Sequence, residues 1–289
     1  MERIRLFKVH KIPHTKFLLE TLKSGFYAEG PKTVEFEKHL SQVVDNPFTV
    51  VVNSGTSALY LALYMSGVCS GKAVISTPIT SPATNISIPR LGGKILWADV
   101  DSKSGNICPQ SVERLLDRYG DEVVAVMAVN WGGMPCDFDA LKKAIRGRAY
   151  LIEDAAHALC AEYKEKLTGS YSDFTCFSFQ AIKHITTGDG GLLTCQSKNI
   201  WQRAKRLRWF GIDRARQGRA FDDDLIEAGF KFHMNDIAAS IGLTQLEDLQ
   251  SIIKRRREIA TYYESELKDF HFQEVTYVAK SAYWVFILK

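Results

Sequence analysis

The feature of this sequence that most restricts its fold is an alternation of short apolar runs and amphipathic segments. Each apolar run is followed by a polar turn and then by a segment with apolar residues at helical spacing. The runs that we interpret as strands are 48–53, 73–76, 94–98, 123–129 and 148–153. Strands that alternate with helices in this way are typical of a parallel sheet with helices on both faces. We therefore expect an α/β protein with three α/β/α layers around a mostly parallel sheet.

Helical segments account for most of the remaining chain. They are predicted at 15–24, 33–44, 58–65, 83–91, 109–119 and 199–209, with one long helix from about Asn235 to Leu267. The polar segment 217–228 is predicted to be a mobile loop. The apolar run 281–289 resembles a strand and ends without a cap. We therefore expect a C-terminally truncated fragment, with a large domain over residues 1–245 and a linking helix and incomplete small domain over 246–289.

Charge and hydropathy patterns argue against several function classes. The net charge of +4 comes from 37 basic and 33 acidic residues that are interleaved, which gives little reason to expect nucleic acid or a membrane as a partner. The basic runs at 203–208 and 254–257 are more simply solvated helix faces, although one of their arginines could contact a pyrophosphate. No run approaches the roughly 20 apolar residues of a membrane span, and the charged N-terminus is unlike a secretory signal. We expect a cytoplasmic protein.

Cysteine and histidine residues do not follow metal-binding patterns. The six cysteines are scattered singly, without a CxxC spacing, and are expected to be reduced structural thiols. His157, His184 and His233 do not pair with other ligands at a recognisable spacing. No metal is therefore expected.

A polar turn follows the first predicted strand. Ser54, Gly55, Thr56 and Ser57 lie between that strand and an apolar helix. Such a turn directs backbone N–H groups and hydroxyls at one point in front of the helix dipole, where a phosphate can bind. Serine and threonine before a helix also act as simple N-caps, and the turn alone does not separate these two interpretations.

A carboxylate follows the strand at 148–153. Asp154 lies at its carboxyl end, where the active sites of such folds collect, and His157 follows in the same segment. An aspartate there can pair with a protonated pyridine nitrogen and so make the ring of a pyridoxal cofactor an electron sink. The simpler alternatives are a helix N-cap for Asp154 and a partly buried structural histidine for His157.

The stretch CFSFQAIKHITTGDGGLLTC, residues 176–195, contains a single lysine between two apolar runs. Lys183 follows the predicted strand 176–179 and precedes a turn of threonine and glycine, at the mouth of a buried sheet. Our hypothesis is that Lys183 carries pyridoxal phosphate as a Schiff base. We also expect the phosphate of the cofactor to contact Gly55, Thr56 and Ser178. The ring nitrogen is expected to contact Asp154, and the phenolic oxygen His157.

Five ordered motifs carry a resemblance to a known family. They are GPKTVEFEKHL (30–40), NSGTSALYLAL (53–63), IEDAAHA (152–158), FSFQAIKHITTGDGG (177–191) and FKFHMNDIAASIGLTQL (230–246). With them the sequence resembles the DegT/DnrJ/StrS family of sugar aminotransferases, pyridoxal phosphate enzymes of fold type I. Five motifs in order are far more specific than a lone glycine-rich loop.

The resemblance implies a homodimer with a shared active site and an amino-group transfer in two halves. An amino acid, typically L-glutamate, would convert the cofactor to pyridoxamine phosphate. The amine would then pass to the keto group of a nucleotide-linked sugar, most commonly a 4-keto-6-deoxyhexose, in polysaccharide or lipopolysaccharide biosynthesis. The catalytic residues would be Lys183, which also shuttles the proton, and Asp154. The segment FKFHMND would reach the neighbouring subunit's phosphate through His233 or Asn235.

One departure and two alternatives accompany the resemblance. Ser81 falls where the family often has an aromatic residue that stacks on the cofactor ring, so stacking must come from elsewhere or be weak. Another fold type I enzyme, such as a lyase, aldolase or dehydratase, is the first alternative, although the related dehydratases generally have histidine in place of Lys183. A non-catalytic regulatory protein that keeps the fold is the second, and the presence of Lys183 together with Asp154 argues against it.

Overall fold

The computed structural model describes residues 7, 9–213, 225 and 227–288. The helices are α1 (Lys16–Ser24), α2 (Pro31–Val43), α3 (Gly55–Met65), α4 (Pro82–Arg90), α5 (Pro109–Tyr119), α6 (Phe138–Ile145), α7 (Lys198–Leu207), α8 (Asp236–Leu246) and α9 (Leu249–Glu266), with short 3₁₀ helices at Gly120–Glu122 and Trp131–Gly133. The strands are β1 (Thr49–Val52), β2 (Ala73–Ser76), β3 (Lys94–Trp97), β4 (Val123–Val129), β5 (Tyr150–Asp154), β6 (Glu162–Tyr163), β7 (Lys166–Leu167), β8 (Phe174–Ser178), β9 (Gly191–Cys195) and β10 (Ala279–Lys280).

The central sheet has the strand order β1-β9-β8-β5-β4-β2-β3. Strands β8, β5, β4, β2 and β3 pair in parallel, and β9 runs antiparallel to both β8 and β1. Strand β1 therefore has the same direction as the parallel strands. The carboxyl ends of β1, β2, β4, β5 and β8 open on one edge of the sheet, and the expectation of a mostly parallel sheet is confirmed.

Helices cover both faces of the sheet because strand residues alternate between two apolar surfaces. Val50 and Val52 of β1 pack in one core with α3, α4 and α7, whereas Val51 packs in a second core with α2, α8 and α9. A third core joins β2, β3 and β4 to α5 and α6 on the same face as the second. The predicted α/β/α layering is confirmed.

The long helix predicted over 235–267 is wrong, because the chain forms two helices, α8 and α9, separated at Glu247 and Asp248. Neither residue is a helix breaker. The bend brings Glu247 against His14 at 3.1 Å and Asp248 against His10 at 3.0 Å, and α8 packs on α1 and α2. Tertiary packing therefore overrides a helical pattern that continues through the break.

The apolar run 281–289 does not form the predicted strand. Among its described residues, 281–288, only Leu288 makes a strand-like bridge, to Phe272. Strand β10 ends at Lys280, where it joins β6 and β7 in a small sheet. The carbonyl oxygens of 281–284 instead accept hydrogen bonds from side chains. The loop predicted at 217–228 lies largely outside the described residues.

The described helices and polar side chains bear on membranes and metals. None of the described helices combines the length and apolar character needed to cross a membrane. Within the same part of the chain, no three His, Cys, Asp or Glu side chains cluster as a metal-binding group.

Candidate active site

A cavity of about 460 Å³ lies at the carboxyl edge of the central sheet. This volume falls in the range of small-molecule sites. Its walls include, of the residues predicted to bind a cofactor, Gly55, Thr56, Asp154, His157, Ser178 and Lys183. They follow or end β1, β5 and β8, whose carboxyl ends the parallel sheet brings together.

The turn after β1 forms part of the cavity wall. Ser54 is the N-cap of α3, and its Oγ accepts a 3.0 Å hydrogen bond from Ser57 N, so the N-cap interpretation holds for this residue. Gly55 and Thr56 begin the helix, and their N–H groups have no acceptor within it. Gly55 lies so close to β8 that an added Cβ would be 2.8 Å from Ser178 Cβ. The helix start and the Ser178 hydroxyl together form a cradle that suits a phosphate.

Asp154 ends β5 and is buried. Its Oδ2 accepts a 2.7 Å hydrogen bond from Thr84 Oγ1, and its Oδ1 accepts a 3.1 Å bond from Ala156 N. Burial raises the pKa of the carboxyl, whereas the two hydrogen bonds and the positive charge of Lys183 lower it. No helix begins at Asp154 in the described chain, so the N-cap alternative is wrong for this residue.

His157 is a buried, neutral imidazole. Its ring stacks on Trp284 with a centroid distance of 3.8 Å and an angle of 11°. Burial, together with the charges of Lys183 and His184, holds its pKa far below the ordinary 6.5. Its Nδ1 is buried and has no hydrogen-bond partner among the described residues. A buried ring nitrogen of this kind is costly unless a ligand satisfies it.

Lys183 follows β8 and points into the same cavity. Burial lowers the pKa of its amine from 10.5 to about 8, and the nearby Asp154 carboxylate opposes this shift. At pH 7, a pKa of 8 leaves about a tenth of the amine neutral, against about 0.03% for an exposed lysine. Lys183 is therefore a far better nucleophile and proton acceptor than a surface lysine.

The sequence of the chain matches a known protein family. The chain matches the model of the DegT/DnrJ/EryC1/StrS aminotransferase family over residues 13–288. The chain belongs to this family. The resemblance carried by the five sequence motifs is thereby confirmed.

Two curated relatives of this chain are named for polysaccharide biosynthesis and for an amino sugar transaminase. The spore coat polysaccharide biosynthesis protein SpsC of Bacillus subtilis is 36% identical over 252 residues, which cover 85% of this chain and 64% of the relative. A UDP-4-amino-4,6-dideoxy-N-acetyl-beta-L-altrosamine transaminase of Campylobacter jejuni is 34% identical over 256 residues, which cover 88% and 67%. The chain thus spans about two thirds of the length of the curated relatives it matches.

Solved structures of the family share the fold. The sugar aminotransferase CalS13 from Micromonospora echinospora superposes with a TM-score of 0.93 at 32% identity, covering 99% of this chain and 80% of that one. Spr1654 from Streptococcus pneumoniae, at 27% identity, has been solved with the cofactor in its PLP form, with a TM-score of 0.90 over 100% of this chain and 78% of that one. Its PMP form has also been solved. Pyridoxal phosphate is the cofactor of the family.

The cavity of this family member fits pyridoxal phosphate. Its wall offers the cradle of Gly55 and Ser178, which is too narrow for a Cβ at position 55. It also offers the buried carboxylate of Asp154, the unmatched Nδ1 of His157 and the amine of Lys183. These groups could hold, in that order, a phosphate, a ring nitrogen, a phenolic oxygen and an aldehyde carbon.

Two further predicted site residues lie elsewhere. His233 and Asn235 are not among the described residues that line the cavity. His233 bridges to Val52 of β1, and its ring lies 3.8 Å from that of Trp209. Asn235 is exposed and caps α8, where its Oδ1 accepts a 2.9 Å hydrogen bond from Ala238 N. Their expected role concerns a neighbouring subunit, and it stays a prediction.

Thr84, Trp131 and Trp284 line the cavity and were not predicted from the sequence. Ser81 lines the wall where an aromatic was expected, and its Oγ accepts a 3.3 Å hydrogen bond from Ala83 N as the N-cap of α4. The aromatic faces come instead from Trp131 and Trp284. Thr84, which bonds Asp154, is the third residue missed. Thr84 could have been found from the sequence, because it is a hydroxyl residue in the segment after β2, and β2 ends on the same edge of the sheet as β5.

Proposed function

We propose that this protein is a pyridoxal phosphate-dependent aminotransferase that moves an amino group from an amino acid to the keto group of a nucleotide-linked sugar. The observation that carries the proposal is the arrangement of Lys183 and Asp154 around one cavity. An amine with a pKa of about 8 and a buried carboxylate face the same space, and the phosphate cradle lines it too. Family membership supports the same activity.

Several residues of the cavity have proposed roles in holding the cofactor. When bound, pyridoxal phosphate supplies an aldehyde that combines with amines and a ring that withdraws electrons from the attached carbon. Gly55 and Thr56 bind its phosphate through N–H groups, and Ser178 donates its hydroxyl. Asp154 keeps the ring nitrogen protonated, because a buried carboxylate favours a cation beside it.

Lys183 and His157 are the two basic side chains with proposed roles in the site. Lys183 Nζ would hold the aldehyde carbon of the cofactor, with loss of water, and its free amine would take a proton from the substrate carbon and return it. A pKa of about 8 suits this role near neutral pH. His157 stays neutral, so it hydrogen-bonds the phenolic oxygen without adding a positive charge near Lys183.

The proposed substrates are L-glutamate as the donor and a 4-keto-6-deoxyhexose on a nucleotide as the acceptor. The support is the family together with the names of two relatives, a UDP-linked amino sugar transaminase and a spore coat polysaccharide biosynthesis protein. A role in polysaccharide or lipopolysaccharide biosynthesis in the cytoplasm follows from such substrates.

The proposed active unit is a homodimer in which segment 230–236 of one subunit reaches the phosphate of the other. The segment lies beside the cradle of its own chain, since Asn53 N donates a 2.7 Å hydrogen bond to Phe232 O. His233 and Asn235 extend beyond this contact. Either side chain is a candidate for the contact across the interface.

The experiment follows amino-group transfer in both halves. The purified protein, loaded with pyridoxal phosphate, is mixed with L-glutamate, and 2-oxoglutarate is measured together with the loss of visible absorption. Nucleotide-linked keto sugars are then added, and mass spectrometry detects an amino sugar. We expect both halves in the wild type and neither in Lys183→Ala. Full activity of Lys183→Ala, or release of ammonia without any amino sugar, would overturn the proposal.

A further inference from the structure

Hydrogen bonds from side chains hold one side of segment 281–284 in place. Its four consecutive carbonyl oxygens all accept hydrogen bonds from three side chains, those of Arg257, His184 and Arg256. The bonds are Arg257 Nε to Ser281 O at 3.0 Å, His184 Nε2 to Ala282 O at 3.0 Å, and Arg256 Nη1 to Tyr283 O at 3.2 Å and to Trp284 O at 2.9 Å. A segment with every carbonyl bonded in this way is held in one conformation.

The other side of the segment lies on the turn after β4. Ala282 N donates a 3.1 Å hydrogen bond to Gly133 O. Gly133 has a φ of 106°, and an added Cβ would be 2.8 Å from His157 O and 2.9 Å from Tyr283 N. This close approach needs glycine, and it ties the segment to the chain that carries His157.

Trp284 is the residue that this segment places in the cavity wall. Its Nε1 donates a 2.9 Å hydrogen bond to Ile182 O, next to Lys183. Lys183 Nζ lies 4.2 Å from the centroid of the indole ring, and the same ring stacks on His157 at 3.8 Å. One side chain therefore contacts both Lys183 and His157, the two basic residues of the proposed site.

We propose that Trp284 is a positioning residue, which fixes the ring of His157 and shields the amine of Lys183 from water. This inference deepens the proposed function, and it rests on that function for the roles of Lys183 and His157. Burial is the main cause of the lowered pKa of Lys183, and the indole ring lies within that buried surrounding. The indole face attracts an ammonium by about 0.5–2 kcal/mol, which opposes the shift, as does Asp154. Other groups near Lys183 are His157 and His184, both with pKa values well below 6.5.

The test measures Lys183 in the protein without cofactor. Acetylation of Lys183 by acetic anhydride is followed against pH by peptide mass spectrometry, and the midpoint gives the pKa of the amine. We expect a wild-type midpoint near 8. Trp284→Ala should raise it by about one unit or more, because water then reaches the amine. Trp284→Phe, which keeps an aromatic wall, should stay within about half a unit of the wild type.

Trp201 provides a matched control outside the cavity. Its Nε1 also donates to a backbone carbonyl, Thr49 O at 2.8 Å, and Lys205 Nζ lies 4.8 Å from its ring centroid. Trp201→Ala should leave the Lys183 midpoint unchanged. An unchanged midpoint in Trp284→Ala, or an equal shift in Trp201→Ala, would overturn the proposal.

A second measurement does not depend on the alanine variant folding. Proton NMR of the wild type, with His157→Gln to assign the signals, should find the His157 ring protons shifted upfield by the stacked indole, and Trp284→Phe should keep part of that shift. Ordinary His157 shifts in the wild type would contradict the inference. Both measurements use protein without cofactor, so a failure to transaminate would overturn the proposed function and leave this inference standing.

Discussion

Thr84 donates a 2.7 Å hydrogen bond to the buried Asp154 carboxylate. The two residues come from different strand ends, Thr84 from the start of α4 after β2 and Asp154 from the end of β5. Thr80 Oγ1 lies 2.6 Å from Thr84 Oγ1, so a short chain of hydroxyls leads from the cavity rim to the carboxylate. This chain stabilises the ionised form of Asp154 against burial.

Loss of the Thr84 hydroxyl should weaken cofactor binding. A hydrogen bond to a charged group contributes about 1.5–3 kcal/mol, so Thr84→Val should reduce the affinity for pyridoxal phosphate by about tenfold or more. Thr84→Ser, which keeps the hydroxyl, should stay within about threefold of the wild type. Equilibrium dialysis measures both dissociation constants. Equal affinities for the valine and serine variants would show that the hydroxyl does not support Asp154.

A side chain at position 55 should close the phosphate cradle. Gly55→Ala places a Cβ 2.8 Å from Ser178 Cβ, and overpacking of this kind costs about 1–3 kcal/mol. We expect a lower free energy of unfolding in urea and weaker binding of pyridoxal phosphate.

The double variant Gly55→Ala with Ser178→Gly separates the two effects. It removes the steric conflict, so the free energy of unfolding should recover, whereas phosphate affinity should not, because the Ser178 hydroxyl is gone. Recovery of cofactor affinity in the double variant would contradict a role of Ser178 in binding.

Removal of the buried amine should stabilise the protein without cofactor in a pH-dependent way. The pKa of Lys183 is about 8 in the folded state against 10.5 for the exposed group. Below pH 8 the amine is protonated in both states, and its burial opposes folding by up to about 3 kcal/mol. Above pH 10.5 it is neutral in both states, and the penalty disappears. Lys183→Met should therefore be more stable than the wild type near pH 7, with an advantage that shrinks as pH rises from 8 to 10.5.

Urea unfolding at about pH 7 and about pH 10 measures this difference. The exposed Lys38 on α2 supplies the control, since Lys38→Met should differ little from the wild type at either pH. An advantage of Lys183→Met that is the same at both pH values would contradict the lowered pKa.

The sequence predicts the strands well, and with them the position of two candidate residues at strand ends. Strands β2 and β4 have the predicted bounds, because each is an apolar run closed by polar residues. Asp154 and Ser178 could be placed at one edge for the same reason, since parallel strands end together. This placement follows from the strand ends alone and does not depend on the number of residues between Asp154 and Ser178.

Contacts between distant residues could not be predicted. The position of Trp284 depends on hydrogen bonds from side chains in α9 and from His184, so an apolar run that resembles a strand became a cavity wall. The break between α8 and α9 depends on packing against α1 and α2 and has no glycine or proline to mark it. The domain division at 245 and the roles of His233 and Asn235 stay predictions.

The central claim is that Lys183 binds pyridoxal phosphate. The most direct measurement is reduction of the loaded protein with borohydride, followed by peptide mass spectrometry of every lysine. We predict that the visible absorption is bleached and that the reduced cofactor mass appears on Lys183 alone. A cofactor mass on another lysine, or a colourless protein with no modified lysine, would contradict the account.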